Sequence, residues 1–231
     1  MYKNSEKFIA SFNRIDKQLK AELTDNTEVG FSKAVKILQH HHATVKHYRD
    51  QLLEYAELRN AIIHNRVEMT YVIAEPHDSV VEEVLAIEQE LHSPKMVKDF
   101  AVRKVYTFQE NDTAEEVLHL VQQQAISKFP VYRDGAFTGL LTQKGITRWL
   151  ANQMEGAVLP SSETPLGEML RYEANDNYKF VDKEMTLYAA ADFFKKQIGA
   201  GRRLEALLIT DKGEPDEDIC GIMTAFDMLD L

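Results

Sequence analysis

Two stretches of the chain share one shape. "TGLLTQKGIT" at 138–147 and "CGIMTAFDML" at 220–229 each pass from a Gly through a short apolar run to a Thr. Three residues after that Thr, one has Gly145 and the other Asp227. The surroundings repeat as well. "KVYTF", "TAEEVLHLVQQQ", "FPVY", "FTGLLT" and "KGITRWLANQ" return in order as "YKFVD", "TLYAAADFFKKQ", "ALLIT", "ICGIMT" and "AFDML". Short β-like runs alternate with helical ones in both. Thr113 matches Thr186 (186 − 113 = 73) and Thr142 matches Thr224 (224 − 142 = 82), so the second copy is longer by 82 − 73 = 9 residues. The excess falls at "GAGRR" and "DKGEPDED", which are polar and turn-rich. Residues 153–164 link the copies. An internal repeat of this kind predicts two copies of one supersecondary unit.

The chain changes character near residues 93–97, and everything before that point is helical in pattern. Phe8, Ile9, Phe12, Ile15 and Leu19 recur at three- and four-residue steps, the stripe of an amphipathic helix. Val35, Ile37 and Leu38 predict a second helix, and 44–64 a third. "SVVEEVLAIEQEL" opens with Ser79 and Glu82 at capping-box spacing and predicts a fourth. "RVEMTYVIAEPHD" connects the last two, and "HSPKM" at 92–96 marks the boundary.

The formal charge is −10, which repels nucleic-acid phosphates and disfavours a broad DNA-binding face. A small local anion site remains open, because it needs only a few aimed donors. No apolar run approaches the roughly 20 residues that span a bilayer. The first residues carry charges through their apolar stretch, unlike a signal peptide. One cysteine, Cys220, excludes a disulfide framework and reads as a small buried hydrophobe. The expected location is cytoplasmic. Three consecutive histidines, His40, His41 and His42, point about 100° apart on a helix and cannot close around one ion, so no metal and no required cofactor are expected.

The Thr and the Asp have two physical readings. At Thr224 a strand gives way to a helix, whose first amides lack internal partners. Such an end attracts a phosphate, and the Thr hydroxyl can donate to the same group. An Asp one turn on can accept from two neighbouring hydroxyls, as a ribose offers. Gly221 leaves room for a flat base to approach the backbone. The other reading is a plain helix cap that binds nothing.

The tandem pattern resembles a CBS-domain pair, also called a Bateman module. Each copy is similar to the family's run: a strand, a Thr-started helix, an "hPVh" strand, then G-h-h-T/S-x-x-D and a last helix. "ISKFPVYRDGAFTGLLTQKGI" carries Pro130 and Val131, and "LEALLITDKGEPDEDICGIMTAFDM" carries Leu207 where the Pro is expected. The fold class implied is α+β: an N-terminal α-helical bundle followed by a tandem pair of β-α-β-β-α CBS domains. The expected domains are 1–92, 95–153 and 164–231.

The resemblance also implies a ligand: AMP, ADP, ATP, S-adenosylmethionine or cyclic di-AMP, held between the copies. One cleft would combine Gly221, Ile222, Thr224 and Asp227 with Thr113, Ile126, Ser127 and Pro130. Its pseudo-symmetric counterpart would combine Leu140 and Thr142 with Thr186, Leu204 and Glu205. Gly145 denies that second cleft its ribose acceptor, and Glu205 adds an anion there. A lost charge-assisted hydrogen bond costs about 1.5–3 kcal/mol, roughly ten- to a hundredfold in affinity. One competent cleft and one weak or vacant cleft are therefore expected. Arg202 and Arg203 are candidate phosphate contacts; they can equally be a solvated loop pair.

In the helical half, Arg59, Asn60 and His64 of "ELRNAIIHNR" resemble the R-x4–6-H motif of HEPN domains, and "FIASFNRIDKQL" is similar to the first helix of that family. Active members cut RNA without metal at a site shared by two subunits. Arg59 would hold the phosphate and His64 would move the proton. These residues can equally brace the bundle through buried polar bonds.

The expected function is a cytoplasmic sensor of an adenosine-containing nucleotide, a binding module rather than an enzyme. Its signal would pass through the helical domain, a homodimer or a protein partner still to be identified. A ribonuclease gated by the CBS pair and a structural dimer with vacant clefts are the alternatives.

Overall fold

The computed structural model describes residues 3–23, 29–64, 74–100, 104–124, 126–155 and 161–228. The chain forms two compact units, one of residues 1–95 with 186–189, the other of 96–185 with 190–231.

The first unit is helical: α1 (Lys3–Ala21), α2 (Phe31–Leu38), α3 (Ala43–His47), α4 (Arg49–His64) and α5 (Asp78–His92). The predicted stripe of α1 is its buried face, with Phe8, Ile15 and Leu19 fully enclosed. Against it pack Val35, Leu38, Leu52, Ile62, Val84 and Ile87. Burying each such side chain stabilises the fold by about 1.5–3 kcal/mol before entropy is counted. Polar bonds fix how α1 meets α5: Arg14 Nη2 donates to Glu88 Oε2 at 2.8 Å, and Ser11 Oγ to the same oxygen at 2.6 Å.

Two boundaries differ from expectation. The third helix is broken at Tyr48, which has φ −92° and ψ 13° and ends α3 before α4 begins. The fourth begins at Asp78 rather than Ser79, because the His77 ring accepts from the Ser79 amide and caps the helix. Most of the connector before it, 65–73, lies outside the described residues.

The second unit contains the repeat. After α6 (Val97–Phe100), the first copy runs β1 (Phe108–Gln109), α7 (Ala114–Gln124), β2 (Lys128–Arg133), β3 (Ala136–Thr142) and α8 (Gln143–Glu155). The second runs β4 (Tyr178–Asp182), α10 (Leu187–Gly199), β5 (Ala206–Thr210) and β6 (Gly221–Met223). Each copy makes a three-stranded sheet in chain order, its first pair parallel and its second antiparallel. The fold is thus mixed α+β, a helical region followed by a repeated β/α region. Between the copies lie α9 (Leu166–Met169) and a 3-10 turn, Leu170–Tyr172.

Three readings are corrected here. "KVYTF" pairs only at Phe108–Gln109, so Lys104–Thr107 are not strand. "AFDML" is a 3-10 turn, Ala225–Met228, among the described residues and not an α-helix. Register places Leu208, not Leu207, opposite Ile222 as Pro130 stands opposite Leu140.

The hairpin turns show where the copies diverge. The first is tight: Asp134 (φ 51°) and Gly135 (φ 82°) join Arg133 to its partner Ala136, the left-handed pair that a two-residue hairpin requires. The second is a longer loop organised by Glu217, whose carboxylate accepts from the Lys212 amide at 2.7 Å. Leu140 of β3 packs with Ala206 and Leu208 of β5, so the two sheets share a small core.

Candidate functional site

A cavity of about 510 Å³ opens in the second unit, lined by residues from both copies. The first copy supplies Lys104, Val105, Tyr106, Gln124, Ile126, Ser127 and Lys128; the second supplies Ile222, Thr224 and Asp227. Five of these, Ile126, Ser127, Ile222, Thr224 and Asp227, were expected together. The wall mixes apolar surface from Val105, Ile126 and Ile222 with hydroxyls, two lysines and one carboxylate.

The polar groups are already ordered. Asp227 Oδ2 accepts from the Thr224 amide at 2.7 Å and from its hydroxyl at 2.8 Å. Among the described residues only a 3-10 turn follows Thr224, so the anion-binding argument rests on side chains. Tyr106 donates its hydroxyl to Gln124 Oε1 at 2.7 Å, and Lys104 Nζ sits 4.7 Å from the ring centroid. The ring is therefore held at its hydroxyl and carries a cation over one face. Lys128 Nζ lies 3.3 Å from Glu205 Oε2, and Arg203 Nε lies 2.7 Å from Glu205 Oε1. Glu205 thus holds a lysine of the first cleft.

Other expected residues stand elsewhere. The Thr113 amide donates to Glu116 Oε2 at 3.1 Å and opens α7. Pro130 and Gly221 are buried within strands. Arg202 and Arg203 are exposed, and the cations on the described cavity wall are Lys104 and Lys128 instead. Cys220 is exposed rather than buried, since it precedes β6 instead of lying within it. Its thiol donates to the Ile209 carbonyl at 3.2 Å, and partial burial raises its pKa.

The pseudo-symmetric cleft is filled from within. Thr142 is fully buried, and its amide donates to Glu173 Oε1 at 2.5 Å. Its hydroxyl accepts from the Gly145 amide at 3.3 Å and starts α8. A Cβ on Gly145 would lie 2.5 Å from Glu173 Cδ and 2.9 Å from Cγ. The other Glu173 oxygen accepts from Asn177 Nδ2 at 2.9 Å, and that amide also donates to the Leu140 carbonyl at 3.1 Å. Thr186 Oγ1 accepts from the Ala189 amide at 3.1 Å and caps α10, and Leu204 is half-buried ahead of β5.

In the first unit, Arg59 and Asn60 line a different cavity, of about 360 Å³, with Phe12, Asp16, Phe31 and Ala56. Arg59 Nη1 donates to Asn60 Oδ1 at 3.3 Å. The His64 side chain lies outside the described residues. His42, of the histidine run, caps α3 by accepting from the Val45 amide at 3.2 Å.

The repeated strand order, and a cavity bounded by the ends of both copies, place this region beside a known family. Residues 97–152 match the CBS domain. The second copy follows the same strand order without being part of that match. Among solved structures, the chain is similar to the CBS domain pair of protein MJ0100 in complex with 5′-methylthioadenosine and S-adenosyl-L-methionine, at 15% identity over 58% of this chain and 93% of that one, TM-score 0.43. It is similar to CBSX2 in complex with AMP, at 14% identity over 59% and 94%, TM-score 0.42. A CBS-domain containing protein from Agrobacterium tumefaciens gives 17% identity over 58% and 96%, TM-score 0.43. No curated protein matches the chain.

The CBS match includes Lys104 to Lys128, the whole contribution of the first copy to the cavity. Sequence reading had not marked Lys104, Val105, Tyr106, Gln124 or Lys128. The available signal was their place: just before the first strand and just before "FPVY" of the CBS domain, where chain ends face the other copy. Leu170 and Glu173 had no such signal, whereas Asn177, just ahead of β4, stands where Lys104 does in the first copy.

Proposed function

We propose that this protein is a regulatory binding module whose first cleft, between the CBS domain and its repeat, holds an adenosine-containing nucleotide. The observation that carries this reading is the convergence of Thr224 and Asp227 with Ile126, Ser127 and Tyr106 on one cavity. Val105, Ile126 and Ile222 offer an apolar ledge for a base, and Tyr106 a face on which it can stack. Asp227 accepts from ribose hydroxyls. Ser127 and the two lysines donate to phosphate, and Thr224 joins them when its hydroxyl turns from Asp227 to the ligand.

Binding regulates by favouring one arrangement of the unit, to the extent that the ligand's affinity differs between arrangements. The helical region or a homodimer passes the change on. No chemistry on the ligand is part of the proposal. Isothermal titration of the full chain with AMP, ADP, ATP, S-adenosylmethionine and cyclic di-AMP tests it. Saturable binding of at least one supports the reading, and flat titrations with all five overturn it.

A further inference from the structure

The two clefts of the repeat differ in a way that reaches well beyond one missing carboxylate. In the second cleft the groups that the first copy would offer a nucleoside, at Gly139, Leu140, Thr142 and Gly145, all meet residues of Leu170–Asn177. Gly139 corresponds to Gly221 (221 − 139 = 82), which directly precedes Ile222 of the first cleft. Over Gly139 lies Leu170, whose Cδ2 is 3.2 Å from where a Cβ would be. Leu140 corresponds to Ile222, and its carbonyl is occupied by the Asn177 amide. Thr142 corresponds to Thr224. Its amide is bound by Glu173 Oε1, just as the Thr224 amide is bound by Asp227 Oδ2. Gly145 corresponds to Asp227, and the Glu173 carboxylate fills the space a side chain there would need.

Asn177 itself corresponds to Lys104 (177 − 104 = 73). Lys104 is exposed on the open wall, whereas Asn177 is 3% exposed and bonded inward. A half-buried carboxylate bonded to a backbone amide and a side-chain amide is a satisfied group, and displacing it leaves both donors without that partner.

We propose that Leu170–Asn177 is a built-in occupant of the second cleft, with Glu173 as the substitute for the acid absent at position 145. The cleft is a latent nucleoside site, and the chain takes one ligand rather than two. The proposal rests on the reading of the first cleft as a nucleotide site for its ligand arm only. A side chain at 145 and Glu173 in its present place exclude each other, since a Cβ at 145 would lie 2.5 Å from Glu173 Cδ.

Two measurements on the full chain test it. The first uses no ligand. The three Glu173 atoms nearest a Cβ at 145 all lie beyond its own Cβ, so Glu173→Ala removes them. Thermal midpoints of wild type, Gly145→Ala, Glu173→Ala and the double variant form a cycle. Gly145→Ala is expected to lower the midpoint by about 5 °C or more in wild type and by less than half of that beside Glu173→Ala. Should Gly145→Ala fail to fold, recovery of fold in the double variant gives the same answer. Equal losses in both backgrounds overturn the proposal.

The second uses AMP as probe. Asp227→Ala weakens the first cleft. Adding Gly145→Asp and Glu173→Ala to it is expected to restore one tightly bound AMP per chain. Two AMP per wild-type chain, or a triple variant that binds as weakly as Asp227→Ala, overturns the proposal. If wild type binds no AMP, the nucleotide reading loses that ligand while the ligand-free cycle still decides whether Glu173 fills the cleft.

Discussion

Asp227 holds both polar atoms of Thr224 through a single oxygen, taking the amide at 2.7 Å and the hydroxyl at 2.8 Å on Oδ2. The pair is a cap, the proposed function makes it a site as well, and substitution separates the two. Asn at 227 can accept the same two bonds without charge, so Asp227→Asn should change unfolding free energy little. Asp227→Ala removes the cap and should cost about 0.5–2 kcal/mol. Both should weaken nucleotide binding about ten- to a hundredfold, the worth of a charge-assisted bond. Urea unfolding alongside titration calorimetry checks this; a pure cap would lose stability and leave affinity unchanged.

The two lysines on the wall should act through phosphate. Lys104 is exposed above Tyr106, while Lys128 is held by Glu205. Lys104→Ala and Lys128→Ala should weaken AMP binding and leave adenosine binding nearly unchanged. Raising the salt should weaken AMP in wild type more than in either variant, because exposed charges are screened over about 8–10 Å. Parallel titrations of AMP and adenosine at two salt concentrations measure both effects.

The acid limb of stability should depend on Glu88. The hydrogen bond from Arg14 lowers its pKa most, helped by Ser11 and opposed by partial burial. A carboxylate depressed in the folded state contributes stability that is present above its unfolded pKa. That contribution is lost as pH falls through the folded value. Glu88→Gln should therefore cost stability at neutral pH and flatten the loss between about pH 5 and the lower folded value, a window set by the ordinary glutamate pKa near 4.3. Urea midpoints measured across that range check the sign.

The longer hairpin of the second copy turns on Gly213, at φ 83°, where a Cβ would come 2.9 Å from the Asp182 amide nitrogen. Gly213→Ala is strained by conformation and by contact with backbone that cannot yield. A loss of about 1–3 kcal/mol is expected, read by chemical denaturation. An equal Gly199→Ala substitution, where nothing lies within 4 Å, serves as the control.

The sequence carried the repeat well because strand alternation and Thr-started helices are local patterns. It brought Thr224 and Asp227 to the same cavity as Ile126 and Ser127 because corresponding ends of two repeated units meet across their shared core. It missed the occupant of the second cleft for a physical reason. Leu170, Glu173 and Asn177 are unremarkable in sequence, and only tertiary placement sets them against Gly139, Thr142 and Leu140. Gly145 was legible as a lost acceptor but not as a space that another carboxylate fills. Tyr48 breaks a helix whose apolar periodicity continues through the break, so periodicity could not show it. Cys220 sits one residue ahead of β6, where alternation had not yet fixed its face.

The most direct test of the central claim is a thermal-shift series of wild type and Asp227→Ala with AMP, ADP, ATP, S-adenosylmethionine and cyclic di-AMP. Ligand at a hundred times its dissociation constant stabilises the state that binds it by about 2.7 kcal/mol. A shift of wild type by at least one of these ligands, reduced by half or more in Asp227→Ala, is the predicted result. No shift with any of them, or an equal shift in the variant, would contradict the assignment of the first cleft as a nucleotide site.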